Sequence, residues 1–598
     1  MDSTNTDFIN AFTQGFLSQP FAVNLDPGVK LRHSIAPVRQ KWFRGTETDM
    51  LFNKSELNTP DTAPMNTSSV ATNPLLPRTF ILTSGFLSTV QARGRWKVLA
   101  LANFRNWSGI LNTRNCIRSP TIPMTSADYL LAVAVSSIFL AVVGFLERRK
   151  AASRLPFPPG PKPRFLAGNL FDIPTETAWI TYTEWGKQYG DVVHAQMLGK
   201  HVVILNSVKA ATDLLEKRAT IYSDRPTMPI VPLTGWGFNL TFMSHTDEWR
   251  ERRRLFHQHF RPDAAAAYRP VQLRKIQDLL RGLLSTPEDF VAHIKTMTAA
   301  IILDTIRTAF AKTSELVDEV KNAPFDFVKQ NMRNGSGKPS VLRELLEQND
   351  AHGSSEEREQ VIKDVAGVAY AGGADTTRAT LTVFIMAMML NPEVAKKAQN
   401  ELDAVVGPGF LPGFEHRSAL PYCEAVFREV FRWGPILPLA VPHTASEDDI
   451  YEGYFIPKGY SDLTVLLDDL NIISGTTVIP NVWAMGHDES KYSNPDEFNP
   501  ERFLNSDGQL NTDDHILGFG FGRRICVGRH AADAIVWATI VSVLSTFDIA
   551  KPKDATGKEI EIEPVYVDGL LSYPKPFQCS ITPRNDVTRQ LIESMTDV

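Results

Sequence analysis

Phe519-Gly520-Phe521-Gly522-Arg523-Arg524-Ile525-Cys526-Val527-Gly528 places a single cysteine in a tight, glycine-rich turn, with an arginine two positions before it. A thiolate that is to hold a metal needs such surroundings. Glycines let backbone N–H groups turn toward the sulfur, which lowers its basicity and its reactivity toward oxidants. Arg524 adds a fixed cation for charge-assisted hydrogen bonds to an anion. At average residue usage this pattern of one Phe, three Gly, one Arg and one Cys arises by chance with a probability on the order of 10⁻⁸ per position. The chain has four cysteines, Cys116, Cys423, Cys526 and Cys579. Their wide spacing suggests no disulfide framework. A zinc site built on Cys526 and His530 lacks two further ligands nearby.

Three other stretches belong with this loop. Ala371-Gly372-Gly373-Ala374-Asp375-Thr376-Thr377 lies inside a helical pattern covering 356–405. Two adjacent glycines cost a helix roughly 1 kcal/mol each. That expense suits a place where a ligand approaches the backbone and a hydroxyl widens the turn. Glu429 and Arg432 stand three apart on a helix ending at Gly434-Pro435, so they share a face. The spacing alone is weak, because about two such matches are expected by chance in a chain this long, and Glu251 with Arg254 is another. Pro500-Glu501-Arg502-Phe503 follows, shortly ahead of the cysteine loop. Finally, Trp249 and Arg253 sit four apart and face one side of a helix.

Together these motifs resemble the cytochrome P-450 family, and in local sequence its fungal membrane-bound members, as in Tyr454-Phe455-Ile456-Pro457-Lys458-Gly459 and Asn481-Val482-Trp483-Ala484. The resemblance covers Met124 to about Arg584. It implies haem b with Cys526 as the iron ligand, and Phe519, Arg524, Trp249, Arg253 and His443 as further haem contacts. It also implies that Thr376 hydrogen-bonds the oxygen under activation and that Asp375 relays protons. Glu429, Arg432 and Arg502 are implied to form a buried ion network of structural purpose. The expected fold is mainly α with small β-sheets. The expected activity is a monooxygenase reaction on a small lipophilic molecule, with O₂ and electrons from NADPH. No flavin or nicotinamide fingerprint follows a predicted strand, so a separate NADPH-dependent reductase is the implied partner. Trp236, Phe238, Ala369, Ala374, Leu437, Leu439 and Leu570 are apolar candidates for the substrate pocket.

The remaining chain sets the organisation. With 598 residues, 43% hydrophobic and a net charge of −5, there is ample material for a core. A pI of about 6.3 gives no reason to expect nucleic acid. Tyr129–Leu146 is an uncharged run of eighteen residues closed by Glu147-Arg148-Arg149-Lys150. It is just long enough to span a bilayer, with its basic end cytoplasmic. The expected layout is an irregular extension over 1–123, an anchor over 124–150 in the endoplasmic reticulum membrane, a proline-rich spacer over 151–163, and the catalytic body over 164–598.

Three features depart from the family pattern. Residues 1–123 are polar and irregular, carry sequons at Asn53, Asn66 and Asn106, and would have to cross the membrane. The expectation is that Met124 is the native start. Tyr460–Gly475 inserts sixteen residues where Gly459 is expected to run straight into Thr476-Thr477-Val478 as one strand pair. This is about three times a typical connection and reads as a retained in-frame intron. Between Leu303 and Pro324 the chain is shorter than the family's substrate-pocket roof. Strands are expected at His194–Leu205, Tyr454–Pro457 and Thr477–Ile479, and a hairpin over Asp568–Ile581.

Overall fold

The computed structural model describes residues 155–165, 167–228, 230–306, 325, 326, 328–334, 340–458 and 475–595, together with the backbone of 88–92 and 95–99. The apolar run at 129–146, the segment 307–324 and residues 459–474 lie outside them. Among the described residues, no helix is long and apolar enough to cross a membrane. The chain divides into a unit over 20–118 and a unit containing the rest. The first holds an antiparallel strand pair, β1 (Ser88–Ala92) and β2 (Arg95–Leu99).

The second unit is mainly helical, as expected. Counting helices of eight residues or more, it opens with α1 (Ala178–Tyr189), then β3 (Val192–Met197) and β4 (Lys200–Leu205). The helices α2 (Asp247–Phe260), α3 (Arg269–Ser285), α4 (Phe290–Ile306), α5 (Val341–Ala351), α6 (Glu356–Leu390), α7 (Pro392–Val405) and α8 (Pro421–Trp433) follow. Next come β5 (His443–Thr444), β6 (Asp449–Tyr451), β7 (Tyr454–Ile456) and β8 (Thr477–Pro480). The chain closes with α9 (Arg529–Thr546), β9 (Phe547–Ala550), β10 (Ser580–Pro583) and α10 (Asp586–Glu593).

α6 is the long central element. Ser355 caps it by accepting the Arg358 N–H, and Glu356, Glu357 and Glu359 oppose the positive end of its dipole. Its C-terminal half is buried almost all round, against α3, α4, α8 and α9 in one core that contains Phe384, Phe427 and Trp537. Its N-terminal half packs with α2 and α5 in a second core. The paired glycines do not interrupt it, and they differ from each other. A side chain on Gly373 would meet Ile302 Cδ1 at 2.6 Å, so this glycine lets α4 press close. Gly372 faces open space.

Several expected strands are redrawn. His194–Leu205 is a hairpin, β3 and β4, turning at Leu198 and Gly199, both at positive φ. The sheet order is β3-β4-β8-β5, with β8 parallel to β4. β7 pairs instead with β6. The expected pairing of Tyr454–Pro457 with Thr477–Ile479 is therefore not formed, because β8's edges are taken by β4 and β5. The two ends of the intervening segment nonetheless meet: Thr476 Oγ1 donates to Pro457 O at 2.5 Å. The C-terminal hairpin is also shifted. The chain folds back between Val565 and Lys575, while Ser580–Pro583 leaves to pair with β9. From Leu155 on, the proline segment does not stand off as a spacer. Phe455 N–H donates to Pro156 O at 2.8 Å, His194 N–H to Pro159 O at 2.9 Å, and Phe157 stacks on His194.

Candidate active site

The cysteine loop is built by two constraints. Gly522 has φ +55°, and a Cβ there would lie 2.1 Å from Leu215 O, so only glycine fits. Across the loop, Cys526 N–H donates to Phe519 O at 2.8 Å, while the Phe519 ring packs 5.3 Å from Phe431 on α8. α9 begins just beyond, and the N–H groups of Gly528 and Arg529 point at the Cys526 sulfur. Burial pushes this thiol up; those two N–H groups and the charges of Arg253 and Arg529 pull it back toward the thiolate. Arg253 also donates to Ile525 O at 2.5 Å, tying α2 to the loop.

A cluster of cations surrounds one side of this loop. Arg524 is buried and donates to Ser223 O, Leu240 O and Met243 O, with its guanidinium 4.2 Å over the Trp249 ring. Burial lowers its pKa to about 10, so it stays charged at neutral pH. The Trp249 indole N–H donates to Leu240 O at 3.0 Å. His443 donates from Nδ1 to Tyr222 O at 2.7 Å, and burial followed by the charge of Arg225 holds it well below the usual range, neutral. Arg225 itself is a member the sequence reading missed. It is buried, donates to Thr241 O, Val441 O and Pro442 O, and burial, followed by the nearby charge of Arg524, holds its pKa below the usual range. The only signal for it was the tripeptide Asp224-Arg225-Pro226, which carries no chemistry by itself.

On α6, Thr376 Oγ1 donates to Gly372 O at 2.6 Å, the back-bond that loosens a helical turn. Asp375 keeps a quarter of its side-chain surface exposed and lies 3.6 Å from Arg378 Nε. Thr376 and Asp375 are thus on α6, whereas Cys526, Phe519 and Arg524 are on the loop before α9.

The ion network is assembled by three segments. Glu429, fully buried, takes Arg432 on both oxygens at 2.6 and 2.7 Å and Arg502 Nε at 3.2 Å. Asn499 N–H completes it at 2.8 Å. The arginines spend their remaining N–H groups on the carbonyls of Gly486, Ser493, Asn494, Pro495 and Glu497. A second buried pair joins α2 to α6: Arg252 donates to Asp364 at 2.6 Å.

These features define a buried cysteine loop flanked by arginines, in a body built on one long central helix. A sequence profile described as Cytochrome P450 matches residues 158–334, 289–466 and 461–581. The chain is 36% identical to Cytochrome P450 monooxygenase 176 of Postia placenta, over 78% of this chain and 97% of that protein. It is 35% identical to Cytochrome P450 monooxygenase claR of Ampulloclitocybe clavipes, over 78% and 93%. It is 33% identical to Tryptamine 4-monooxygenase of Psilocybe cyanescens, over 78% and 100%. The chain belongs to the cytochrome P450 family and is a haem-dependent monooxygenase. The family's cofactor is haem b, with electrons from NADPH delivered by a reductase.

The residues present fit that cofactor. Arg225 and Arg524 each lie close enough to feel the charge of Arg253, and Asp224 is the carboxylate that offsets Arg225 and Arg524. Such a surplus of buried cation calls for anions, and a haem brings two propionates. The sulfur, poised between burial and N–H donors, suits an iron ligand.

Proposed function

We propose that this enzyme oxidises a small lipophilic molecule, of terpenoid, polyketide or aromatic type, from an anchor in the endoplasmic reticulum membrane. The observation that carries the site assignment is the Cys526 sulfur facing the Gly528 and Arg529 N–H groups beside a surplus of guanidinium. Cys526 would hold the iron, and Arg253, Arg524 and Trp249 would hold the propionates. The haem, when bound, supplies O₂ activation and insertion of one oxygen atom into a substrate C–H bond.

The chain's own residues do the rest. The N–H donors at Cys526 keep its sulfur from becoming too basic. Thr376 holds its hydroxyl proton against Gly372 O and gives up that acceptor when a better one enters beside Gly372. Asp375, partly exposed, takes protons from solvent and passes them inward. Apolar side chains from α6 and from the turns at Leu437 and Leu570 line the substrate side and exclude water, while Leu439 packs in the core between α1 and the β3–β4 sheet. Tyr129–Leu146, with Arg148-Arg149-Lys150 after it, supplies the anchor.

The deciding experiment is the difference spectrum of the reduced, CO-bound protein. A Soret band at the red-shifted thiolate position is expected; a band at the neutral-ligand position, or no haem, rejects the assignment of Cys526. Substrate screening with reductase and NADPH follows, and aromatic amines belong in the first set because a relative is a Tryptamine 4-monooxygenase. Alkaline carbonate extraction of membranes tests the anchor, and release into the soluble fraction would reject it.

A further inference from the structure

From Thr377 to Met389, α6 is buried at every position, and Arg378 is the one charged residue in that run. Its side chain keeps only 10% of its surface exposed. A guanidinium so placed needs anionic or aromatic partners, since it cannot shed its charge. It has two. Asp375 lies one turn earlier on the same face, with Nε 3.6 Å from Oδ1. The ring of Tyr573, in the turn between Val565 and Lys575, lies 4.6 Å beneath Cζ.

The contact to Asp375 is loose. At 3.6 Å it is too long to be a hydrogen bond, and Arg378 Nε is buried with no hydrogen-bond partner. Arg432 closes fully on Glu429 and Arg252 on Asp364, whereas Arg428 stands 3.8 Å from Glu424 and spends its N–H groups on the carbonyls of Asn511 and Asp513. Arg378 and Asp375 attract each other without being tied. Asp375 also keeps more contact with solvent, at 25% exposure, than Arg378 does.

We propose that Arg378 is the positioning residue for Asp375. Its fixed charge, seated on Tyr573, keeps the carboxylate turned toward the helix interior. The missing hydrogen bond leaves that carboxylate free to swing. A bidentate pair would clamp it; solvent alone would not direct it. This rests on the monooxygenase reading, in which Asp375 carries protons. Each proton it takes from solvent is passed inward, and the carboxylate returns ionised to face Arg378, so no proton or charge accumulates.

The test uses the full-length holoenzyme with reductase and NADPH, without added substrate, in three variants: R378Q, R378K and Y573L. One readout is the infrared carboxylate band of Asp375 at fixed pH, identified by its loss in D375N and measurable with or without haem. The other is the solvent deuterium isotope effect on NADPH oxidation. R378Q is expected to shift the band and enlarge the isotope effect, R378K to restore both, and Y573L to lower the melting temperature with the band in place. An unmoved band in R378Q overturns the proposal. So does a Y573L shift equal to that of R378Q, which would make Arg378 a mere staple for the C-terminal turn. Where R378Q does not fold, R378K decides: a retained band supports the proposal and a displaced one overturns it. Failure of the underlying reading looks different, since the unaltered chain would then lack the red-shifted CO band.

Discussion

Glu429, fully buried, carries two arginines on one carboxylate, and its worth follows from what its loss leaves behind. Glu429→Gln strands two buried guanidinium groups and should destabilise the protein by about 3–5 kcal/mol. Urea unfolding measures this, with Glu184→Gln as control, whose exposed pair with Lys187 is worth at most about 1 kcal/mol. Gly522 is as exacting for a steric reason. Gly522→Ala places a methyl against Leu215 O at a positive φ. The loop must move, and the expected result is loss of the red-shifted CO band before any comparable loss of helix content by circular dichroism. The motif around Cys526 was legible because the left-handed backbone at Gly520 and Gly522 favours glycine. Arg225, Arg378 and the Arg252–Asp364 pair were not legible. Their partners are backbone carbonyls, a ring or a carboxylate that only the fold brings within reach.

At the scale of elements, the interrupted connection after β7 is the sharpest case. Pro457 and Thr476 are hydrogen-bonded across it, and a Cβ on Gly475 would meet Lys458 O at 2.5 Å and Ala445 O at 2.1 Å. The ends therefore already adjoin, and deletion of Tyr460–Gly475 would leave Gly459 to take the seat of Gly475. The deleted protein is expected to unfold at the same urea concentration or higher, because closing a shorter loop costs less entropy. A large fall in that midpoint would show that the segment is integral to the sheet. Strand pairing here was misread because periodicity shows that a stretch is a strand, and says nothing of which edge it will find. β8 finds β4 and β5, while β7 finds β6.

Across the whole molecule, buried histidines govern the response to acid. Burial lowers His194 to about 3, His201 to about 4 and His487 to about 4, and holds His443 well below its usual range. In the unfolded chain all would titrate near 6.5. Between that value and their folded values the unfolded state binds more protons, so stability is full above about pH 6.5 and falls as pH drops toward 4. Each such histidine contributes a slope of about 1.4 kcal/mol per pH unit in that window. Urea midpoints at pH 7 and pH 5 check this, and equal midpoints would contradict it. His443→Gln should flatten the curve by one histidine's share.

The division between the two levels has a physical basis. Cys526 in its glycine turn, the Gly-Gly-Ala-Asp-Thr run, Glu429 with Arg432, and the apolar stretch before a basic cluster are local demands, met by neighbours in the chain, and the sequence alone determined them. So it determined the class of chemistry. The tertiary structure decided what depends on distant segments meeting. It gave Gly373 to Ile302 and left Gly372 open, closed the ion network onto Arg502, gathered Arg225 and Arg524 about Asp224 with Arg253 nearby, and set Arg378 beside Asp375 without a bond. Charge and packing act through space, and only the folded chain fixes which residues share that space.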